Sequence, residues 1–322
     1  MTVKPNRPSI ALLIPCFNGL QYLPQLMENV KALEQGFDEI IVFDDASTEP
    51  FLFDPTTAFP EIKFYQGEVN GGAGHARNRL IELATTDYIH FHDIDDVEIP
   101  RNFLAELSPY LSANTVVFSS WHIQWSDNRQ PKLYNYCGFN ETQDFRAYFL
   151  RHHIHMNAAI FPRELALRVK FDEDFRAVQD LIFNVRLAQA GAAYHHVGTV
   201  IAKHTKNSES TISRMKQQKF QEYRAKYCQR CRDILPERYH PMIGEIALYH
   251  AWDSCLQGFD QECELAISVA EQCGELNYAQ FGRLVQLLAP WFGLSNTLKL
   301  RRWWAQHNLN SLRNSGMLSK YS

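Results

Sequence analysis

The sequence predicts an α/β domain on a mostly parallel sheet, followed by an all-helical domain, and three observations carry that expectation. Apolar runs at residues 10–14 and 39–43 each end in a polar or Pro-containing turn, the pattern of strands covered on both faces. Between them Leu23, Leu26, Met27, Val30 and Leu33 recur at helical spacing. From Arg214 onward strand signals vanish and helix-forming polar residues with Leu, Ala and aromatic anchors take over.

The elements follow in order. A short strand is expected over 62–65, a helix over 73–84 carrying Ala76, Leu80, Leu83 and Ala84, and a strand over 87–92. Strands alternating with helices at this spacing build parallel sheets, and ligands sit at the carboxyl ends of such strands. A helix over 102–111 then leads to a strand over 115–125, assigned an edge position. A helix after 142, a strand near 154–161, a helix over 178–190 and a strand over 194–201 complete the first domain. The boundary falls near residue 212, which gives domains 1–212 and 213–322.

Bulk properties narrow the function. The chain has 322 residues and a formal net charge of −4, so its surface is not the cationic sheet that grips a nucleic acid backbone. No window approaches the ~18 apolar residues that span a bilayer, and residues 1–8 lack a signal-peptide core. A cytoplasmic protein is expected. Seven cysteines, unevenly spread, read as reduced thiols.

Three segments at predicted strand ends or helix starts carry chemistry. Asp93-Ile94-Asp95-Asp96 sets three carboxylates in four residues, and a pair about 6 Å apart repels by roughly 3 kcal/mol at an effective dielectric of ~20. A hard cation, Mn²⁺ or Mg²⁺, fits that oxygen set; a solvated acidic turn before the next helix fits the bare residues as well. Asp44-Asp45-Ala46-Ser47 is a turn by composition, or a set of acceptors for a base or ribose. Asn70-Gly71-Gly72-Ala73-Gly74-His75-Ala76-Arg77-Asn78 is a glycine-rich turn entering a helix, where close backbone approach and anion binding are favoured. It matches neither a P-loop nor the dinucleotide fingerprint.

Together, in this order, the segments resemble family 2 glycosyltransferases of the GT-A fold. The matching motifs are Pro15-Cys16-Phe17-Asn18, then Asp44 to Ser47, Asn70 to Asn78 and Asp93 to Asp96. They continue with Phe171-Asp172-Glu173, Gln179-Asp180, and His204 followed by Ser208 and Ser210. Gln179 stands where the family commonly has Glu. The resemblance covers residues 9 to 212 and implies an inverting, metal-dependent transferase that takes a nucleotide-diphosphate sugar, a UDP-sugar by preference, and a glycan or lipid-linked acceptor of bacterial surface polysaccharide or lipooligosaccharide synthesis.

The resemblance also implies roles. Nucleotide-sugar contacts fall to Pro15, Phe17, Asn18, Asp44, Asp45, Ser47, Asn70, Gly72, Arg77, Asp93 and Ile94. The metal falls to Asp93, Asp95 and Asp96, with His204 as a further ligand. Asp180 is the general base; its alternative reading is a helix N-terminal charge that complements the macrodipole.

Other signals rank lower. Cys228-Gln229-Arg230-Cys231 has zinc-knuckle spacing without a second pair, and His152, His153 and His155 form no recognisable ligand set. Lys299, Arg301 and Arg302 beside Trp303 and Trp304, after Trp291 and Phe292, describe a basic aromatic face that would rest on an anionic membrane or pack on a second copy in a homo-oligomer. Two rival functions are a sugar nucleotidyltransferase, which wants a lysine-bearing loop near the first strand that 15–19 lacks, and a non-catalytic nucleotide-sugar-binding subunit, against which the joint presence of Asp93, Asp95 and Asp180 argues.

Overall fold

The computed structural model describes residues 8–96, 98–125, 130–136, 139–206, 217–274, 281 and 283–303. The chain divides into two compact units, Met1–Arg214 and Met215–Ser322.

The first unit contains β1 (Ile10–Cys16), α1 (Leu23–Lys31), β2 (Glu39–Asp44), α2 (Pro55–Ala58), β3 (Lys63–Gln66), α3 (Ala73–Leu83) and β4 (Tyr88–Phe91). It continues through α4 (Phe103–Leu107), β5 (Thr115–Trp125), β6 (Lys132–Tyr134), α5 (Phe145–Phe149), β7 (Ala159–Pro162), α6 (Arg163–Val169), α7 (Gln179–Gln189) and β8 (Ala193–Lys206). One mixed sheet runs β3-β2-β1-β4-β7-β5-β6, with β8 paired to β5. The pairings among β1 to β4 are parallel, as is β5 with β8, whereas β7 joins β4 and β5 antiparallel. Helices flank this sheet, so the predicted α/β class stands, with a more mixed sheet than expected.

Every residue of β1 is buried, and the side chains of Ile10, Leu12 and Ile14 pack with Leu23, Leu26 and Met27 of α1 and with Phe103 and Leu107 of α4. Apolar burial on this scale is the main driving force for the unit. Strand order reverses direction at β1, whose neighbours β2 and β4 lead away on opposite sides. The Leu13 carbonyl accepts from His92 N–H at 3.0 Å on the β4 side, and the Cys16 carbonyl accepts from Asp45 N–H at 2.8 Å on the β2 side. Pairing with β4 ends at Leu13, so Pro15, which has no N–H to donate, faces the side where the ladder has already stopped. The two strands part there, at the switch point where open α/β sheets bind ligands.

Three expectations change. β5 is not an edge strand, because β7, β6 and β8 all pair with it; its apolar, aromatic sequence is buried on that account. The helix expected over 102–111 stops at Leu107 and tightens to a 3₁₀ turn over Ser108–Tyr110, since Pro109 cannot donate to an α-helical ladder. The strand expected near 154–161 begins at Ala159, preceded by a 3₁₀ turn, Met156–Ala158. Ser208, Ser210 and Trp304 lie outside the described residues.

The second unit contains α8 (Gln217–Ile234), α9 (His240–Gln257), α10 (Asp260–Gln272) and α11 (Arg283–Phe292). Gly258, at φ 85°, ends α9, a left-handed cap that costs glycine nothing. Of the predicted basic aromatic face, Lys299 pairs with Glu264 at 2.6 Å, Arg302 with Asp260 at 2.8 Å, and the Arg301 guanidinium lies 4.5 Å from the Trp252 ring centre. Leu287, Trp291, Phe292 and Trp303 are exposed. None of the described helices is long and apolar enough to cross a membrane.

Buried histidines set an acid limit on both units. His90 is fully buried, donates from Nδ1 to the Ala159 carbonyl at 2.8 Å and stacks on Phe37. Burial first, and His92 beside it second, bring its pKa down to about 3. In α9, burial and the Arg224 charge bring His250 to about 3 as well. A base whose folded pKa is depressed takes up its proton in the unfolded chain first, so stability is intact above the ordinary histidine value of 6.5 and falls as pH drops from there toward 3. Each group then contributes a loss of about 1.4 kcal/mol per pH unit. Melting temperatures between pH 7.5 and 5 are expected to fall steadily, and an unchanged melt at pH 5 would contradict the neutral, buried placement of these rings.

Candidate active site

The carboxyl ends of β1, β2 and β4 and the starts of α3 and α7 supply the site. Asp44 ends β2 fully buried, and both its oxygens serve the turn that follows: one accepts from Ser47 Oγ–H, the other from Ser47 N–H at 3.1 Å and Gln66 Nε2 at 3.3 Å. Ser47 Oγ accepts from Asn18 N–H at 2.7 Å, while Asn18 Oδ1 accepts from Thr48 N–H at 2.9 Å and Glu49 N–H at 3.2 Å. Asn18 (φ 51°) and Ala46 (φ 59°) are both left-handed, a strain held by these side-chain bonds. Phe17 is half-buried beside this turn.

Asp45 reaches the glycine loop. Its oxygens accept from Gly71 N–H at 3.1 Å and Gly72 N–H at 2.5 Å. Gly72 has φ 88°, a left-handed conformation that favours glycine, and a Cβ there would displace the Arg176 guanidinium. Arg176 in turn donates to Asn70 Oδ1 at 2.9 Å and to the Asn70 carbonyl at 3.3 Å. Asp44 and Asp45 thus build the loops that form one wall.

From α3, the buried Arg77 donates to Asp93 Oδ1 at 2.6 Å and to Gln179 Oε1 at 3.1 Å, and its guanidinium lies 5.5 Å from the Phe171 ring centre. Gln179 donates to the Phe175 carbonyl at 2.7 Å, so it braces the start of α7 against Arg77. Burial alone would raise Asp93, but Arg77, with His155 and His204, outweighs it and holds the carboxyl down at about 2. Asp95 goes the other way: burial, then the charges of Asp93 and Asp96, lift it to about 6. Ile94, between them, points into the core against Gly19, where a Cβ would meet its Cγ2 at 2.7 Å.

Asp96 is buried and its Oδ2 accepts from His204 Nδ1–H at 2.8 Å and Asn157 Nδ2 at 2.7 Å. Among the described residues, Asp96, His155 and His204 form a group whose ligand atoms all lie within 4.8 Å of one another. A metal–ligand bond of about 2.1 Å sets cis ligands ~3 Å and trans ligands ~4.2 Å apart, so the group fits a cation after small side-chain adjustment. Burial pushes His155 down, to about 4, with the His204 charge adding to it. Burial pushes His204 down too, but the hydrogen bond and charge of Asp96 overcome it and raise the ring above its ordinary value.

His204 arrives here through an irregularity. Ser119 of β5 pairs with Val197 of β8, but Ser120 pairs with Ile201, so three extra residues enter β8. An odd insertion turns every later side chain to the opposite sheet face, which puts His204 opposite Ile123 on the face of Trp121 rather than on that of His196. Asp180 lies in the first turn of α7, which starts after Val178 at φ 57°. Its Oδ2 is 3.8 Å from His153 Nε2.

The structure therefore joins Asp45 to the glycine loop, Arg77 to Asp93, and Asp96 to His204. Sequence reasoning did not name Asn157 or Arg176, and it discounted His153 and His155 as ligands. The clue was the His152-His153-x-His155 run, whose partners at Asp96, Asp180 and His204 are too distant in sequence to form a motif.

Residues 11–169 match the family model described as glycosyl transferase family 2. Relatives include an uncharacterized glycosyltransferase, MJ1057, of Methanocaldococcus jannaschii, 23% identical over 69% of this chain and 80% of its own length. Another is the putative colanic acid biosynthesis glycosyl transferase WcaA of Escherichia coli, 26% identical over 56% of this chain and 67% of its own. Among solved structures, S. aureus TarS 1-349 in complex with UDP-GlcNAc superposes with a TM-score of 0.65 at 18% identity, covering 93% of this chain and 92% of that one. Sheet, flanking helices and sequence agree: this chain belongs to glycosyl transferase family 2 and has the GT-A type of fold.

Proposed function

We propose that the chain is an inverting glycosyltransferase that moves a sugar from a UDP-linked donor to a hydroxyl of a glycan or lipid-linked acceptor in surface polysaccharide or lipooligosaccharide synthesis. The observation that carries the reading is the convergence at one sheet edge of the Arg77–Asp93 pair, the Asp96–His204 pair and Asp180. The UDP-GlcNAc complex of TarS and the colanic acid assignment of WcaA support a UDP-sugar and a polysaccharide product.

In this reading the loops braced by Asp44 and Asp45 face the nucleoside, with Pro15, Phe17, Asn18, Ser47, Asn70 and Gly72 around it. Arg77 aims Asp93 at the ribose. Asp180 accepts the proton of the acceptor hydroxyl as its oxygen bonds to the anomeric carbon, from the face opposite the bond to the diphosphate, which breaks with its electron pair on the departing diphosphate. Asp96 and His204, with Asp95 beside them, would hold Mn²⁺ or Mg²⁺ through the Asp96 carboxylate and the His204 imidazole, and the cation would offset charge on that leaving group. The catalytic domain spans 1–212; the domain from 213 onward takes acceptor or self-association contacts, and its exposed Leu287, Trp291 and Phe292 would meet the lipid surface of a lipid-linked acceptor.

Thermal shift with UDP, GDP and dTDP, each with and without Mn²⁺, tests the donor. UDP plus Mn²⁺ at 100 times the dissociation constant is expected to add about 2.7 kcal/mol, several degrees in a domain of this size. A shift with GDP or dTDP alone would reassign the donor; none with any nucleotide would remove the reading.

A further inference from the structure

We propose that His155, which belongs to no motif of the chain, is a third protein ligand beside Asp96 and His204, and that the resulting two-imidazole, one-carboxylate site prefers Mn²⁺ to Mg²⁺. The inference rests on the metal-dependent reading above and adds a ligand and a selectivity to it.

Three observations support it. The ligand atoms of Asp96, His155 and His204 lie within 4.8 Å of one another, and the two imidazole centroids are 4.5 Å apart. The position is built, because His155 sits between the buried Ile154 and Met156, and the Ile154 carbonyl accepts from Asn184 Nδ2 at 3.2 Å. One buried amide orients two of the ligands. Asn157 Nδ2 donates to Asp96 Oδ2 at 2.7 Å and to the Lys203 carbonyl at 2.9 Å, while its Oδ1 accepts from His155 Nδ1–H. With Nδ1 protonated for that bond, Nε2 carries the lone pair, the arrangement by which an outer-shell partner prepares a histidine ligand.

Trp121 closes the rear. It is 3% exposed, and its ring centre lies 4.8 Å from that of His155 and 6.4 Å from that of His204. Trp121 Nε1–H donates to Tyr136 Oη at 2.9 Å, whose hydroxyl donates to the His153 carbonyl at 2.8 Å, so the ring cannot leave without breaking this chain of bonds. The selectivity follows from ligand type. Mg²⁺ prefers an octahedral oxygen shell and keeps its waters, whereas imidazole nitrogen suits first-row transition ions. Two nitrogens in a three-ligand set penalise Mg²⁺ more than Mn²⁺.

The test titrates Mn²⁺ into the full chain with UDP present, reading free Mn²⁺ by electron paramagnetic resonance and bound imidazole by ¹⁴N echo modulation. Mg²⁺ serves as competitor. For His155→Gln, Mn²⁺ affinity is expected to fall at least tenfold, the nitrogen modulation to weaken, and the preference over Mg²⁺ to narrow. His155→Cys loaded with Co²⁺ should gain a thiolate-to-cobalt charge-transfer band, a sign of direct ligation that loss of stability alone cannot produce. Wild-type affinity and modulation in His155→Gln, with binding lost in His204→Gln, would overturn the ligand assignment and leave the metal reading standing. Failure of the wild-type chain itself to bind Mn²⁺ would remove both.

Discussion

Asp180→Asn is expected to lower glycosyl transfer by roughly 10²- to 10⁴-fold, the usual worth of a positioned base, while leaving UDP and metal binding unchanged. The substitution keeps the side chain's shape and removes its capacity to take a proton together with its negative charge. The Asp180 carbonyl already accepts from Asn184 Nδ2 at 2.7 Å, and that backbone bond is untouched, so α7 should stay in place. The loss of one charge from the first helical turn costs about 0.3–1 kcal/mol, too little to explain a rate loss of that size. Turnover, product-nucleotide release and a UDP titration on the same preparation separate the two effects. Full turnover in the variant would remove Asp180 as the base, and a parallel loss of UDP affinity would point to a binding role instead.

Asp93→Ala is expected to destabilise the first unit by about 3 kcal/mol and to abolish nucleotide-dependent stabilisation. Arg77 is only 7% exposed, and its 2.6 Å bond to Asp93 is a charge-to-charge contact. Removing one partner of such a pair leaves a charge buried without compensation, which costs about 3–5 kcal/mol; Gln179 and the Phe171 face retain part of the Arg77 interaction. A midpoint drop of roughly 6–12 °C follows for a domain of this size. The double variant Asp93→Ala/Arg77→Met should recover most of the loss, because it removes both charges together. Its sign with pH is set by the depressed carboxyl: the pair's contribution is present above the ordinary Asp value near 3.8 and disappears as pH falls toward 2. Equal stability of wild type and Asp93→Ala in urea would show that Arg77 needs no counter-charge.

The candidate site was legible in unequal parts. Carboxylates at strand ends could be placed because the strands themselves are readable: β1 and β2 are continuous apolar runs, and a polar turn must follow where such a run leaves the core. Arg77 and Gln179 could be named from motif order. Their bond at 3.1 Å, which gives Gln179 a bracing part at the start of α7, shows only in the fold. His155 was discounted as a ligand because nothing local distinguishes it from a surface histidine. Its neighbours come from Asp96, 59 positions earlier, and His204, 49 positions later, and only a folded sheet measures that distance.

Periodicity and turn chemistry, which act between residues a few positions apart, were enough to determine the alternation of strands and helices in this chain, the α/β class and the strand ends where its acidic and glycine-rich segments fall. What the tertiary structure alone decided was pairing. The three residues added to β8 between its partners for Ser119 and Ser120 turn His204 to the Trp121 face, and two central antiparallel pairings through β7 convert an expected edge into an interior strand. Both depend on hydrogen bonds between segments tens of residues apart, and a strand's own side-chain alternation is the same whichever neighbour it finds and whichever register that neighbour imposes.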